Sequence, residues 1–242
     1  MTWSIVARDA TGALGVAVAS KFFAVGALCA HGQSGVGALS TQALVNPLLV
    51  GPALRGMAAG REPAALLAEI LADDPGRELR QFHMVDAAGR VAAHTGAECI
   101  DWCGHTLREG YSVAGNMLAG PQVIAATADH FAAHAELPFA ERLIEAMAAG
   151  EAAGGDKRGK QGAALLVYNG QDYPSLDIRV DDHPEPIREL RRLHQVSLER
   201  FQPFVSCMAS RERPAGIIDR SVIEAEIARF QAARKDRAGP AA

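Results

Sequence analysis

The first twenty residues constrain the fold more than any other stretch. Thr2-Trp-Ser-Ile-Val-Ala-Arg8 and Leu14-Gly-Val-Ala-Val-Ala-Ser20 are two short β-rich runs, and Asp9-Ala-Thr-Gly12 between them has turn composition. They read as a hairpin, so the chain starts inside a sheet.

Beyond Ser20 the sequence alternates between sheet and helix in blocks. Gly35-Val-Gly-Ala-Leu-Ser-Thr-Gln42 reads as a buried strand whose glycines permit close approach of another backbone. Two amphipathic helices are expected over Pro47–Gly60 and Pro63–Ala72, each with a proline in its first turn. Phe82–Asp86 and Arg90–His94 flank an Ala-Ala-Gly turn as a second hairpin, and Tyr111–Asn116 adds a strand. Ala-rich helices come next, to about Ala135 and over Pro138–Ala149, then a charged, Gly-rich loop over Gly154–Gln161. Strands at Ala163–Tyr168 and Leu176–Val180 precede a helix running through Leu198 and a last charged helix over about Ser221–Arg234. Hairpins grouped before paired helices point to an α+β protein with stacked sheets covered by helices, a four-layer αββα sandwich. Periodicity alone does not choose that arrangement over another α+β one.

Composition narrows the function classes. The 242 residues suit one large domain, residues 1–200, with a helical extension at 201–242. With 49% hydrophobic but only 5% aromatic residues, the core must be built from Ala, Val, Leu and Ile. A net charge of -4 gives no broad positive field, which argues against nucleic acid as a partner. Cys29, Cys99, Cys103 and Cys207 lack zinc-ligand spacing, so no metal is expected, and they read as reduced, buried thiols. Neither a basic leader nor an apolar stretch of membrane-spanning length is visible, which gives a cytoplasmic location as the expectation.

TWSIVARD, LGVAVASKFFAVG, GVGALSTQA, VAGNML, GGDKRGKQ and Asp177-Ile-Arg-Val-Asp-Asp-His-Pro184, taken in this order, resemble the DUF1028 family over residues 2 to about 195. That family is an uncharacterised branch of the N-terminal-nucleophile (Ntn) hydrolase superfamily. The resemblance implies the αββα fold and, by superfamily analogy, cleavage of an amide bond without a cofactor. It names no substrate.

Thr2 is the first candidate for that chemistry. Loss of Met1 would leave a hydroxyl and a free α-amine on one residue, and such an amine titrates at about pH 7.7–8.0, so it can take the hydroxyl proton. As a plain strand residue, Thr2 needs no such role. Ser4 shares its strand face and could bond the amine or act as an alternative hydroxyl. The resemblance assigns Lys21 to lowering the nucleophile's pKa, against the alternative of a solvent-facing lysine. Backbone N–H groups around Gly35–Gly37 or the side-chain amide of Asn116 could stabilise an oxyanion, although Asn at a strand end also serves turns.

Asp156, Lys157, Arg158, Lys160 and Gln161 could hold an anionic substrate group, or could simply be a solvated loop. Asp181, Asp182 and His183 read as helix-capping and turn residues. The expected activity is therefore an amidohydrolase acting on a small, carboxylate-bearing amide, in a homodimer. The alternatives are a non-catalytic binding or regulatory protein on the same fold, or a self-assembling scaffold.

Overall fold

The computed structural model describes residues 2–238, with side chains described through Arg234. Residues up to Arg191 form one compact unit and those from Arg192 onward a second. The elements run β1 (Thr2–Arg8), β2 (Leu14–Ser20), α1 (Val25–Cys29), β3 (Ala30–Gln33), β4 (Gly37–Ala43), α2 (Val50–Ala58), α3 (Pro63–Ala72), β5 (Arg80–Asp86), β6 (Val91–Thr95), β7 (Gly104–Arg108) and β8 (Tyr111–Asn116). They continue with α4 (Gln122–Ala133), α5 (Phe139–Ala152), β9 (Gly162–Tyr168), β10 (Leu176–Val180), α6 (Pro186–Ser197), α7 (Phe201–Val205) and α8 (Arg220–Ala238).

The first unit is a mixed α+β body with two antiparallel sheets. One has the order β10-β9-β2-β1-β8-β7 and the other β3-β4-β5-β6. β1 pairs with β2 on one side, Trp3 opposite Ala19, and with β8 on the other, Thr2 opposite Asn116. The start of the chain is thus held at the centre of a six-stranded sheet.

Alternation along β1 sends successive side chains to opposite faces. Val6 joins Leu14, Val16, Ala38 and Val85 in one apolar cluster drawn from both sheets, so this face of β1 looks across at the second sheet. The opposite face lies under helix α5. A Cβ on Gly15 would come within 2.6 Å of Leu143 Cδ1 and 2.9 Å of Phe139 Cε1, so the helix seats closely because that strand position has no side chain. On the far side of the second sheet, Leu39, Phe82 and Met84 pack with Met57 of α2 and Leu66, Leu67 and Leu71 of α3. Removing a ring such as that of Phe82 from this kind of contact costs about 3–5 kcal/mol.

Three stretches of the first unit differ from the sequence expectation, and α7 of the second was not expected either. The helix expected from Pro47 begins as a 3-10 turn, Pro47–Leu49, and becomes α-helical only at Val50. Asn46 caps the turn by accepting from Leu48 N, and the shift places Pro52 in the first helical turn, where a missing N–H breaks no helix bond. Helix α1 and strand β3 are absent from the sequence reading, since a five-residue helix and a four-residue strand leave almost no periodicity to detect. The edge strand β7 is likewise short, half-exposed and polar.

In the second unit, α7 and α8 bury Cys207 and Ile227, and Arg200 pairs with Glu224. No helix among the described residues is long and apolar enough to cross a membrane. The four cysteines are free thiols.

Candidate functional site

The space between the sheets changes character along its length. At the Val6 end it is apolar, whereas towards the start of β1 it is filled with polar side chains that are almost wholly buried: Ser4, Ser40, Gln42, Gln81, His83, Ser112 and Asn116. Polar groups so placed must satisfy one another.

Two backbone carbonyls set the direction of the bonds that run from Gln81 through Gln42 and Ser4 to His83 Nε2. Gln81 Nε2 faces Gly115 O at 2.8 Å and Gly104 O at 3.1 Å, both acceptors only, so this end of the amide must be the donor. Gln81 Oε1 then accepts from Gln42 Nε2 at 2.7 Å and from Asn116 Nδ2 at 3.0 Å. With its nitrogen so committed, Gln42 presents Oε1 to the hydroxyl of Ser4 at 2.7 Å and to that of Ser40 at 3.2 Å. Ser4 has spent its hydrogen, so its Oγ receives His83 Nε2–H at 2.7 Å, and His83 Nδ1 accepts from the Ser112 hydroxyl at 3.1 Å. The bond to Ser4 places a proton on Nε2, and the depressed pKa of the ring keeps it neutral. Burial, and next the nearby His105, push its pKa down to about 3.

Thr2 stands at the mouth of this network. Its hydroxyl donates to Ser20 Oγ at 3.2 Å, and its carbonyl receives Gln42 Nε2 at 3.4 Å and Asn116 Nδ2 at 3.5 Å. Asn116 thereby points both N–H bonds inward. A cleft of about 240 Å³ opens on this side of the sandwiched sheets, walled by Ala43, Leu44, Leu79, Ile100 and Met117, with Asn116, Cys99 and Glu98 completing it. Ala43 (φ 67°) and Met117 (φ 52°) both hold the left-handed backbone conformation that L side chains disfavour, a strain that tends to gather at functional sites. Thr2 lies beside this cleft through its register with Asn116.

Of the remaining sequence candidates Ser4 belongs to this network and the others fall elsewhere. Ser4 shares the face of Thr2 but is fully buried in the network. Lys21 is exposed; its backbone N–H donates to Asp156 Oδ2 at 2.7 Å and its Nζ to Lys160 O at 3.1 Å. The loop residues are engaged within the protein: Lys157 Nζ on Asp101 O at 2.7 Å, Lys160 on Glu185 at 2.6 Å and on Glu151 at 3.1 Å, and Gln161 on Asp182 at 3.1 Å. Asp156 is buried and accepts from Arg158 N at 2.9 Å and from Arg158 Nη2 at 3.1 Å. His183 Nδ1 accepts from Glu185 N, which matches a turn role. The expected loss of Met1 concerns a residue outside those described.

Gln42, Gln81, His83 and Ser112 were not among the sequence candidates. Their signal was available: Ser40 and Gln42, and Gln81 and His83, sit two apart within apolar strands, which marks a polar stripe on one face. Among the described residues, no group of three or more His, Cys, Asp or Glu side chains is arranged to hold a metal.

Comparison with known proteins supplies the family context. The family of unknown function DUF1028 matches residues 2–190. A Silicibacter pomeroyi protein of solved structure, described under the same family, is similar with a TM-score of 0.84 and 31% identity, over 90% of this chain and 96% of that one. Anbu, an ancestral β-subunit from Yersinia bercovieri, gives a TM-score of 0.39 and 14% identity over 81% of this chain and 94% of that one. No curated protein matches.

Proposed function

We propose an activity for this chain, which belongs to the DUF1028 family: hydrolysis of a small amide by an N-terminal threonine, without a cofactor. The fold is read as the four-layer αββα sandwich of Ntn hydrolases, with α4 and α5 on one outer face and α2 and α3 on the other. The observation that carries the reading is the position of Thr2, which opens a central strand opposite Asn116 where the inter-sheet space meets the cleft.

Removal of Met1 would free the α-amine of Thr2 to take the hydroxyl proton as Oγ1 attacks the substrate carbonyl. The C–N bond then breaks, the amine leaves carrying that proton, and water hydrolyses the ester formed on Thr2. Ser20, already within 3.2 Å of Oγ1, is placed to orient the hydroxyl. The network from Gln81 to His83 holds both Thr2 and Asn116 in place. Asn116 spends both N–H bonds inside the protein, so its side-chain amide serves to hold the Thr2 carbonyl rather than to meet an oxyanion. Lys21 would act on the site only through the loop carbonyl it holds.

The test is a panel of small amides turned over by untagged protein. Thr2→Ala is expected to lower turnover by at least about a hundredfold and Thr2→Ser to retain part of it. Full activity in Thr2→Ala would refute the assignment.

A further inference from the structure

We propose that the cleft beside Asn116 receives an apolar chain carrying a protonated amine, and that the substrate is an amide bearing such a group. The inference rests on reading this cleft as the substrate site.

The walls are aliphatic, from Leu44, Leu79, Ile100 and Met117. A volume of about 240 Å³ lies just below the range typical of drug-sized ligands, roughly 300–1,000 Å³, and suits a group of amino-acid size. The polar groups at the cleft are acceptors. Asn116 turns both N–H bonds to Gln81 and Thr2, which leaves its Oδ1 as the only polar side-chain atom it can offer a ligand. Glu98 is exposed at the rim, and its carboxylate meets no cation among the described residues.

The basic side chains nearby are committed to other partners. Arg80 is held by Asp74 at 2.9 Å and by Leu44 O at 2.6 Å, Arg77 by Glu78 at 3.2 Å, and Lys157 by Asp101 O. An anionic ligand would meet Glu98, the charged side chain of the lining, whereas an ammonium group would find a carboxylate and an amide oxygen while its carbon chain covers the aliphatic walls. The Gly-rich loop, with Lys157, Arg158 and Lys160 all engaged, gives a carboxylate no comparable place.

Three probes of one shape and different charge test this: 3-methylbutylamine, 3-methylbutanol and 3-methylbutanoate, each titrated into protein labelled at side-chain amides and methionine methyls. The amine is expected to shift the Asn116 amide and Met117 methyl signals saturably and to bind more tightly than the alcohol, with the carboxylate weakest. Glu98→Gln should weaken the amine roughly three- to tenfold and leave the alcohol unchanged. Binding of the carboxylate as tight as that of the amine, an amine affinity indifferent to Glu98→Gln, or no saturable shift with any probe would overturn the inference. The titration needs no turnover and is repeated on Thr2→Ala. Amine binding there, together with full turnover of the amide panel by Thr2→Ala, would refute the nucleophile while leaving the ligand class standing.

Discussion

Replacing Gln81 by Leu removes the amide that sets the polarity of the whole inter-sheet network while keeping the side chain close to its original volume. Its Oε1 receives Gln42 Nε2 and Asn116 Nδ2, whose remaining contacts to Thr2 O are long, at 3.4 and 3.5 Å. Two buried donors lose their good acceptor, each costing about 1–3 kcal/mol, and the carbonyls of Gly104 and Gly115 lose a donor as well. Apolar burial by the leucine offsets part of this, for a net loss of about 3 kcal/mol. In urea that is a midpoint lowered by about 1–2 M at unchanged slope, and on heating a Tm lower by roughly 6–12 °C. Equilibrium unfolding followed by circular dichroism measures it. A loss under about 0.5 kcal/mol would refute the reasoning, because a Gln81 so easily replaced cannot organise its neighbours.

The network also makes stability depend on pH. His83 is neutral in the folded protein, its pKa depressed by burial to about 3, whereas in the unfolded chain it protonates near about 6.5. The contribution is complete above the unfolded value and is lost as pH falls towards the folded one, by about 2 kcal/mol at pH 5. His83→Gln should flatten the stability profile by close to one proton between pH 7 and 5, which denaturation at a series of pH values would show; an unchanged profile would place the dependence on His31, His105, His130 or His194, which burial also depresses. At the Gly-rich loop, Asp156→Ala strands the backbone N–H groups of Lys21 and Arg158 and should cost about 2–3 kcal/mol. Faster proteolytic cutting within 154–161 would report the loosened loop, and unchanged cutting would count against Asp156 as its anchor.

The fold was legible where residues repeat with a clear period. The opening hairpin, β5 with β6, and helices α3 to α5 announce themselves through turn residues, prolines and apolar spacing. Short or edge elements such as α1, β3 and β7 did not, because their existence depends on pairing with strands distant in the chain. The candidate site divides in the same way. Thr2 and Asn116 are strand ends whose chemistry can be guessed from residue type, and the register does bring them opposite each other. Gln42, Gln81 and His83 lie on two strands and bond across to Ser4, Asn116 and Ser112 in the other sheet. The stacking of the sheets gives them these cross-sheet partners. The cleft was hidden for the same reason, since its walls come from the ends of β4 and β8 and from loops around Leu79 and Ile100.

The most direct measurement of the central claim is peptide-level mass spectrometry of untagged protein after brief exposure to an activated p-nitrophenyl ester. The expected result is a chain lacking Met1 with a single acyl group on Thr2, absent from Thr2→Ala. Retention of Met1, or an acyl group on another residue with Thr2 unmodified, would contradict an N-terminal threonine nucleophile.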